Sequence, residues 1–587
     1  MAETILSPGV LSRENDISQI RSLPVVAGAA IIGPTVKGKP NIPRLVTSFS
    51  EFEAEFGTTF ISGSNITLPG GAGFTSGEEF SFLTSISANN YFAQGGTSLL
   101  VTRVASGSFS PATSSLIPTG SGTPVGTTSS SPFVLETLSE GEILNSTGPQ
   151  QTGGILDSGS SDNFILEITN PNTDQGVFTL LIRRGDDRTN NKTVLETFTN
   201  VSLDPKQSNY IERVVGNQVQ NVVGSGTSVY VRTTGSFANA SRFVRVKEVN
   251  FKTPDYFDNN GNARVFYTAS IPVASSGTFG TATGTTFTGA NTLYDNIGVR
   301  TQGLQEGNYT DAINLLANKD EYNFNVISVP GLNNADHATP IGNLIEMVEN
   351  RGDAIAVIDL VRYGSTITVV NSEAGERDSS FAAAYWPWLQ VSEPSNGNIV
   401  WVPASTLIPG VYANNDAVSE TWFAPAGFNR GGLVGVVQAE RKLSQTQRDS
   451  LYVSKVNPIA TFPGRGVVVF GQKTLQQRAT ALDRVNVRRL LISLKSFISQ
   501  VSDNLVFEQN TAATRNNFLA QVNPFLENVQ QRQGLFAFKV VMDDTNNTPD
   551  VIDRNQLVGQ IFIQPTRTAE FILLDFNILP TGATFPA

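Results

Sequence analysis

The residue types that most enzymes use for proton transfer and metal binding are nearly missing from this 587-residue chain, which has one histidine, His337, and no cysteine. Histidine is the side chain whose ordinary pKa lies nearest neutrality. A single copy rules out a His-rich metal site and allows one His-based acid–base pair at most. That residue stands in Asn333-Asn334-Ala335-Asp336-His337-Ala338-Thr339-Pro340, a polar turn leading into a helix, and reads as a solvated loop histidine. Neither its flanks nor a nucleophile elbow supports a Ser-His-Asp arrangement. Without cysteine, disulfides and thiolate metal sites are excluded.

Other short motifs carry no chemistry either. Gly464-Arg465-Gly466 precedes the strand pattern Val467-Val468-Val469-Phe470 and not a helix, so the geometry that cradles a pyrophosphate is missing. Asp543-Asp544-Thr545-Asn546-Asn547-Thr548-Pro549-Asp550 lacks the central Gly and closing Glu of a calcium loop and reads as a hairpin turn. Arg351-Gly352-Asp353 falls between a helix pattern and a buried strand, where Gly352 is a turn residue. Paired carboxylates are frequent, as in any acidic chain, and none is singled out. No catalytic, metal or cofactor residue is nominated, and the chain is not expected to be an enzyme.

The net charge of −11 argues against sequence-independent nucleic-acid binding. The charge is unevenly placed: Arg430 to Arg515 holds 13 Lys/Arg against 5 Asp/Glu, a local +8 that leaves −19 on the remainder. No apolar run approaches the ~20 residues of a bilayer span, and the N-terminus lacks a signal-peptide pattern, so no membrane insertion and folding in a cytosol are expected. The length suggests about three to five domains.

The elements read as follows. Residues 1–22 have no periodic core pattern and form an extended arm around Ser7, Pro8, Gly9, Val10 and Leu11. Leu23–Gly33 is a buried strand, Glu51–Phe56 a short helix capped by Ser48 or Ser50 and stopped by Gly57, Glu78–Ala93 a helix, and Ser98–Val104 a strand. Residues 106–132 are Ser, Thr or Gly at 18 of 27 positions, a linker or surface excursion. Short β-patterned runs follow at Phe133–Leu138, Asn163–Ile168, Gly176–Arg183, Val194–Val201, Tyr210–Val215, Val229–Arg232 and Phe243–Val246, which predict an all-β insertion over 105–300. The α/β pattern resumes with strand Tyr322–Val329, helix Ile341–Arg351, strand Ala354–Leu360, the Tyr385-Trp386-Pro387-Trp388 segment and strand Ile399–Val402. The simplest account is one α/β domain, 23–104 with 301–451, split by the insertion.

After that the character changes to α+β over 452–567. Val487, Leu490, Leu491, Leu494, Phe497, Ile498 and Val501 keep helical spacing behind a candidate N-cap, Asp483, and a second helix runs over Thr511–Asn528. Two strands, Leu535–Val541 and Leu557–Ile563, read as a resident sheet bearing Phe536, Phe538, Val540, Ile561 and Ile563. Beyond Pro565, residues 568–587 hold a third strand pattern with Phe571, Ile572, Leu573, Leu574 and Phe576 on both faces. Such a strand needs cover on both sides, and it is either kept or given to the sheet of a neighbouring molecule.

Several of these stretches together resemble the tail-sheath proteins of contractile bacteriophage tails and related contractile injection particles. They are Ser7-Pro8-Gly9-Val10, Val26-Ala27-Gly28 onward, Leu45 to Gly57, Tyr91 to Gly96 with Val101 to Val104, Ala384 to Leu389, Val402 to Ser405, Val411 to Asp416, Ala424 to Gly431, Asp483 to Arg489, Thr545 to Pro549 and Ile552 to Asn555. Residues 105–300 lie outside the resemblance. It implies a non-enzymatic sheath subunit without cofactors. Its central α/β domain would be subtilisin-like in shape only, and its two terminal arms would add strands to the C-terminal sheets of neighbours. Hexameric rings would stack around an inner tail tube between baseplate and tail terminator proteins, assembled in the bacterial cytoplasm. Ser7–Leu11 and Phe571–Phe576 would then be the exchanged strands and the resident pair the receiving sheet. Arg484, Arg488, Arg489 and Lys495 are expected to meet an acidic tube. A subtilisin-like hydrolase and another virion surface protein, receptor-binding or decorating, are the alternatives. Deleting residues 568–587 is expected to leave soluble, folded protein that forms no sheath; a truncated chain that polymerised normally under the electron microscope would refute the donated strand.

Overall fold

The run Val25–Gly33 has apolar or small side chains on both faces, and it forms a central strand, β1, of an eight-stranded sheet. The computed structural model describes residues 25–61, 66–67, 73–74, 77–120, 131–148, 153–224, 226–285, 300–393 and 395–570. The other strands of this sheet are β2 (Pro43–Val46), β3 (Leu99–Arg103), β4 (Tyr322–Asn333), β5 (Ile355–Asp359), β6 (Ala382–Trp386), β7 (Asn457–Phe462) and β8 (Gly466–Val469). Their order is β2-β3-β1-β4-β5-β6-β7-β8. The six inner strands are parallel, and β2 and β8 close the two ends antiparallel. Val326 of β4 lies opposite Ala29 of β1, so the halves on either side of the insertion join in the middle of one sheet.

Both faces of that sheet are covered, as parallel strands require. Ile31, Val101 and Tyr385 point to one side, against α1 (Phe49–Phe56), α2 (Leu83–Ala93) and the aromatic segment around Trp388. Ile32, Leu100 and Phe324 point to the other, against α3 (Ala338–Arg351), α4 (Ile367–Gly375) and α5 (Gln445–Val453). Ser48 caps α1, its hydroxyl accepting from the Glu51 N–H at 3.2 Å, and Gly57 ends it at φ 69°. The helix expected from Glu78 begins instead at Leu83. Glu79–Ser81 pairs as a strand with Thr59–Ile61 before the chain turns into the helix.

The Arg-Gly-Asp tripeptide is the end of α3. Gly352 takes the left-handed conformation at φ 71°, and Arg351 turns inward to the carbonyls of Leu316 (2.6 Å) and Tyr322 (2.8 Å) and to both oxygens of Asp353. His337 corrects the sequence reading: it is fully buried, not solvated. The turn Asn333–Asp336 folds back on the end of β4, with the Asn333 side chain accepting from the Asp336 N–H at 2.9 Å. This places His337 Nδ1 where it accepts from the Asn333 N–H at 3.2 Å.

The insertion forms a second, seven-stranded antiparallel sheet. In spatial order its strands are Val194–Ser202, Val177–Arg184, Phe164–Asn172, Ser275–Gly280, Pro111–Ser114, Phe133–Glu140 and Val244–Val249. Phe133 and Phe178 stack at 5.5 Å in its core. Two expectations are corrected here. Tyr210–Val215 is not a strand, because Ile211–Val214 makes one helical turn that buries Ile211. Pro111–Ser114 lies in the polar stretch yet pairs within the sheet, with Ala112 and Ile117 in the core. A third correction concerns the boundary at 451/452. Asn457–Val469 belongs to the central sheet, and Leu475 donates its N–H to Ala382 O at 2.9 Å, so the central unit runs on to about residue 475.

Arg103, at the end of β3, ties the two sheets together. It is 1% exposed, its Nη1 donates to Gly38 O and to Glu140 O (2.8 Å), and its guanidinium lies over the Phe109 ring. Burial pushes its pKa down to about 9, partly opposed by Glu140. Around it, Lys39 pairs with Glu140 at 2.7 Å and Lys37 with Asp162 at 3.3 Å. Removing the guanidinium leaves buried carbonyls unsatisfied, at about 1–3 kcal/mol each. Arg103→Ala is therefore expected to lower the first thermal transition and to speed chymotrypsin cleavage after Phe109, the ring that the guanidinium covers; an unchanged melting profile would refute this role.

Candidate functional site

The residues from Val485 onward build the surface most open to a partner. Helix α6 (Val485–Asp503) is amphipathic, and its apolar side is divided between two cores. Val485 and Ile492 pack into the core of the central sheet, whereas Leu490, Leu494 and Val501 pack against α7 (Ala512–Gln531). Thr511 caps α7, accepting from the Thr514 N–H at 3.3 Å. Asp483 is not the N-cap of α6. It closes a short 3-10 turn, Ala481–Asp483, and pairs with Arg484 at 2.9 Å, leaving Arg484 at the cap position without a side-chain cap bond.

Against α6 and α7 lies a hairpin, β9 (Leu535–Val541) and β10 (Gln560–Pro565), with Phe538 opposite Ile563 and Val540 opposite Ile561. These four side chains and Leu535 pack on Leu526, Phe518 and their neighbours. Phe536 departs from the expectation that it shares their face. A register shift between Leu535 and Ala537 turns it outward, 76% exposed, and Phe562, opposite Lys539, is 57% exposed. Among the described residues neither strand has a second neighbour, so both outer edges present unpaired backbone groups. The turn 543–548 is held internally, Asn547 Nδ2 donating to Asp543 O (3.1 Å) and Val558 O (2.9 Å), and the described residues hold no cluster suited to a metal.

Three of the four basic candidates face inward, which overturns their assignment to an exposed basic face. Arg488 is 5% exposed, lies over the Phe381 ring at 3.9 Å and donates to Ser380 O at 3.2 Å. Burial lowers its pKa to about 10. Arg489 is 4% exposed, over the Tyr412 ring at 4.7 Å and paired with Asp416. Tyr412 in turn hydrogen-bonds Tyr385 of β6 at 2.7 Å, so the arginine continues a polar chain out of the central core. Arg484 grips Glu570 with two bonds, 2.6 and 2.9 Å. Burial alone would lower the Arg484 pKa, but Glu570, Tyr452 and Asp483 together outweigh it and raise it. Lys495 is exposed and is the one member of the set left facing solvent. A count of charges along a sequence cannot separate a guanidinium bound to carbonyls and rings from one in water.

Glu570 is the last described residue, and its contacts form a clasp that composition did not reveal. Gln472 Nε2 donates to Thr568 Oγ1 (2.7 Å) and to Glu570 Oε1 (3.1 Å), and Tyr452 also bonds the Glu570 carboxylate. The expected exchanged strands, Ser7, Pro8, Gly9, Val10, Leu11 and Phe571, Ile572, Leu573, Leu574, Phe576, lie outside the described residues.

Buried polar groups elsewhere are arranged for structure. Ser405 directs its hydroxyl at the Asp359 carboxylate, and its N–H donates to the same group at 3.1 Å; His337 accepts from a backbone N–H. A serine engaged by a carboxylate in this way is not a nucleophile bonded to a histidine base. Burial raises the Asp359 pKa to about 7 against the lowering effect of Ser405, and burial likewise raises Glu393 to about 7. A carboxyl whose folded pKa is raised holds its proton more tightly in the folded state. Its stabilising effect is full below about pH 4 and lost as pH rises through about 7. Denaturant midpoints are expected to fall between pH 5 and pH 8, and Asp359→Asn to flatten that fall; an unchanged slope in the variant would refute the assignment.

Comparison with known proteins accords with this geometry. Residues 304–475 match the family model described as phage tail sheath protein central domain, and residues 477–578 the phage tail sheath C-terminal domain. The tail sheath protein of Vibrio phage KVP40 is 38% identical over 230 residues, covering 39% of this chain and 32% of the relative. That of Enterobacteria phage T4 is 42% identical over 185 residues, covering 32% and 28%. The chain thus spans about a third of the length of these curated relatives. A solved sheath tail protein of Listeria innocua superposes over 92% of this chain and 95% of its own with a TM-score of 0.51 at 10% identity, a likeness of fold alone.

Proposed function

We propose that this chain, which carries the central and C-terminal domains of phage tail sheath proteins, is the structural subunit of a contractile tail sheath and not an enzyme. The observation that carries the reading is the hairpin β9–β10, whose outer edges no other described strand covers and which is fixed to the central unit through α6. In the proposed assembly the arms Ser7–Leu11 and Phe571–Phe576 of neighbouring subunits add to those edges. Each added backbone bond contributes only ~1 kcal/mol net, but several of them, with burial of Phe571, Ile572, Leu574 and Phe576 at ~1.5–3 kcal/mol each, hold a link through a large rotation of the bodies it joins. The links persist while contacts between bodies change, which is what contraction demands. Hexameric rings stack around an inner tail tube between baseplate and terminator proteins, in a tail assembled in the host cytoplasm. On contraction the tube is driven through the bacterial envelope. Of the basic candidates, Lys495 remains as a contact for the tube. The purified full-length chain is expected to give rings or tubes in negative stain, and an excess of a peptide spanning residues 568–580 to suppress them by occupying the open edges. A chain that stays monomeric at high concentration, or tubes indifferent to the peptide, would overturn the reading.

A further inference from the structure

A cavity of about 630 Å³ opens between the central unit and the root of the C-terminal segment. Its wall includes Trp422, Phe423, Tyr452, Pro458 and Phe470, and its rim is formed by Thr566, Arg567, Thr568, Ala569 and Glu570. Clefts of roughly 300–1,000 Å³ with largely apolar walls enclose whole ligands, and this one has the aromatic lining that suits a peptide. Phe470 is 40% exposed and leaves part of that lining uncovered by the described residues.

The cavity is also electrically specific. Arg430, Arg448 and Arg567 stand around it, and none of the three forms a salt bridge among the described residues. Arg430 lies over the Phe423 ring at 5.1 Å, and Arg448 over the Phe470 ring at 5.9 Å, so two cations are held by the wall itself. An extended apolar segment bearing one carboxylate would satisfy such a site.

One such segment starts at the rim. Residues 571–587 read Phe-Ile-Leu-Leu-Asp-Phe-Asn-Ile-Leu-Pro-Thr-Gly-Ala-Thr-Phe-Pro-Ala, with Asp575 the one charged side chain. The clasp of Arg484, Gln472 and Tyr452 on Thr568 and Glu570 fixes where it begins. Asp575 is five residues beyond Glu570, a reach of up to about 17 Å, against about 11 Å for the width of a sphere of the cavity's volume. We infer that in the free subunit residues 571–587 fold back into this cavity, with Asp575 among the arginines. The strand a neighbour would receive is thereby covered until assembly draws it out. Intramolecular seating has the advantage of effective concentration over any partner's segment. The inference rests on the proposed donation of this segment only for what releases it.

The absence of native cysteine allows a direct test in the full chain. Gln445→Cys, at the cavity wall, combined with Asn577→Cys is treated with a short bismaleimide at a dilution where light scattering reports monomers. The expected product is a monomer bridged within itself, obtained in far lower yield when Arg448→Glu is added. That charge reversal should also make chymotrypsin remove the terminal segment severalfold faster, and Arg448→Lys, which keeps the charge, should restore the slower rate. Bridged dimers alone, no bridge at all, or a bridge indifferent to Arg448→Glu would overturn the inference. Negative stain of the unbridged chain reads the sheath proposal separately. Tubes without a bridged monomer sink the seat alone, and bridged monomers that never polymerise support the seat and sink the sheath.

Discussion

Helix α6 is the element on which the arrangement depends, because one rigid rod supplies side chains to two hydrophobic cores. Val485 and Ile492 belong to the central core, and Leu490, Leu494 and Val501 to the core beneath the hairpin. A helix cannot satisfy both packings unless its rotation about its own axis is fixed. The buried arginines fix it: Arg488 on Phe381 and Ser380, Arg489 on Tyr412 and Asp416. A buried guanidinium is costly unless each donor meets an acceptor or ring, so these contacts tolerate little sliding. The orientation of the hairpin is therefore inherited from the central sheet.

Much of this architecture was legible from patterning. The strands Val25–Gly33, Leu99–Arg103, Ile355–Asp359 and Leu535–Val541 follow from apolar runs bounded by turn residues, and the last falls on the residues expected. What was not legible depends on tertiary partners. Arg484, Arg488 and Arg489 look like a basic face because they cluster at the start of one helix, but their guanidiniums turn to rings, carbonyls and Glu570. His337 sits in a turn sequence that packs into the protein. Pro111–Ser114 lacks the bulk of a core strand and is recruited because neighbouring strands need an edge partner. Phe536 needed a bulge that no alternation predicts.

The buried polar network makes the chemical character plain. Asp359 with Ser405, Arg351 with two carbonyls and Asp353, and Arg103 with two carbonyls each bind the end of one strand or helix to a distant segment. Such groups specify a single arrangement more than they add stability. Together they make the joints between the sheets stiff, which no one of these contacts would do alone.

The eight-stranded sheet ends at both margins in four-residue antiparallel strands, β2 and β8, whereas among the described residues the hairpin leaves longer strands, of seven and six residues, without a second neighbour. In the vocabulary of networks, the hairpin is a node with a valence of two. In the proposed assembly, bonds formed by strand pairing meet on that hairpin. A fabric knotted only at corners can shear through wide angles while its panels stay undeformed, and its stretch is set by the knots and not by the panels.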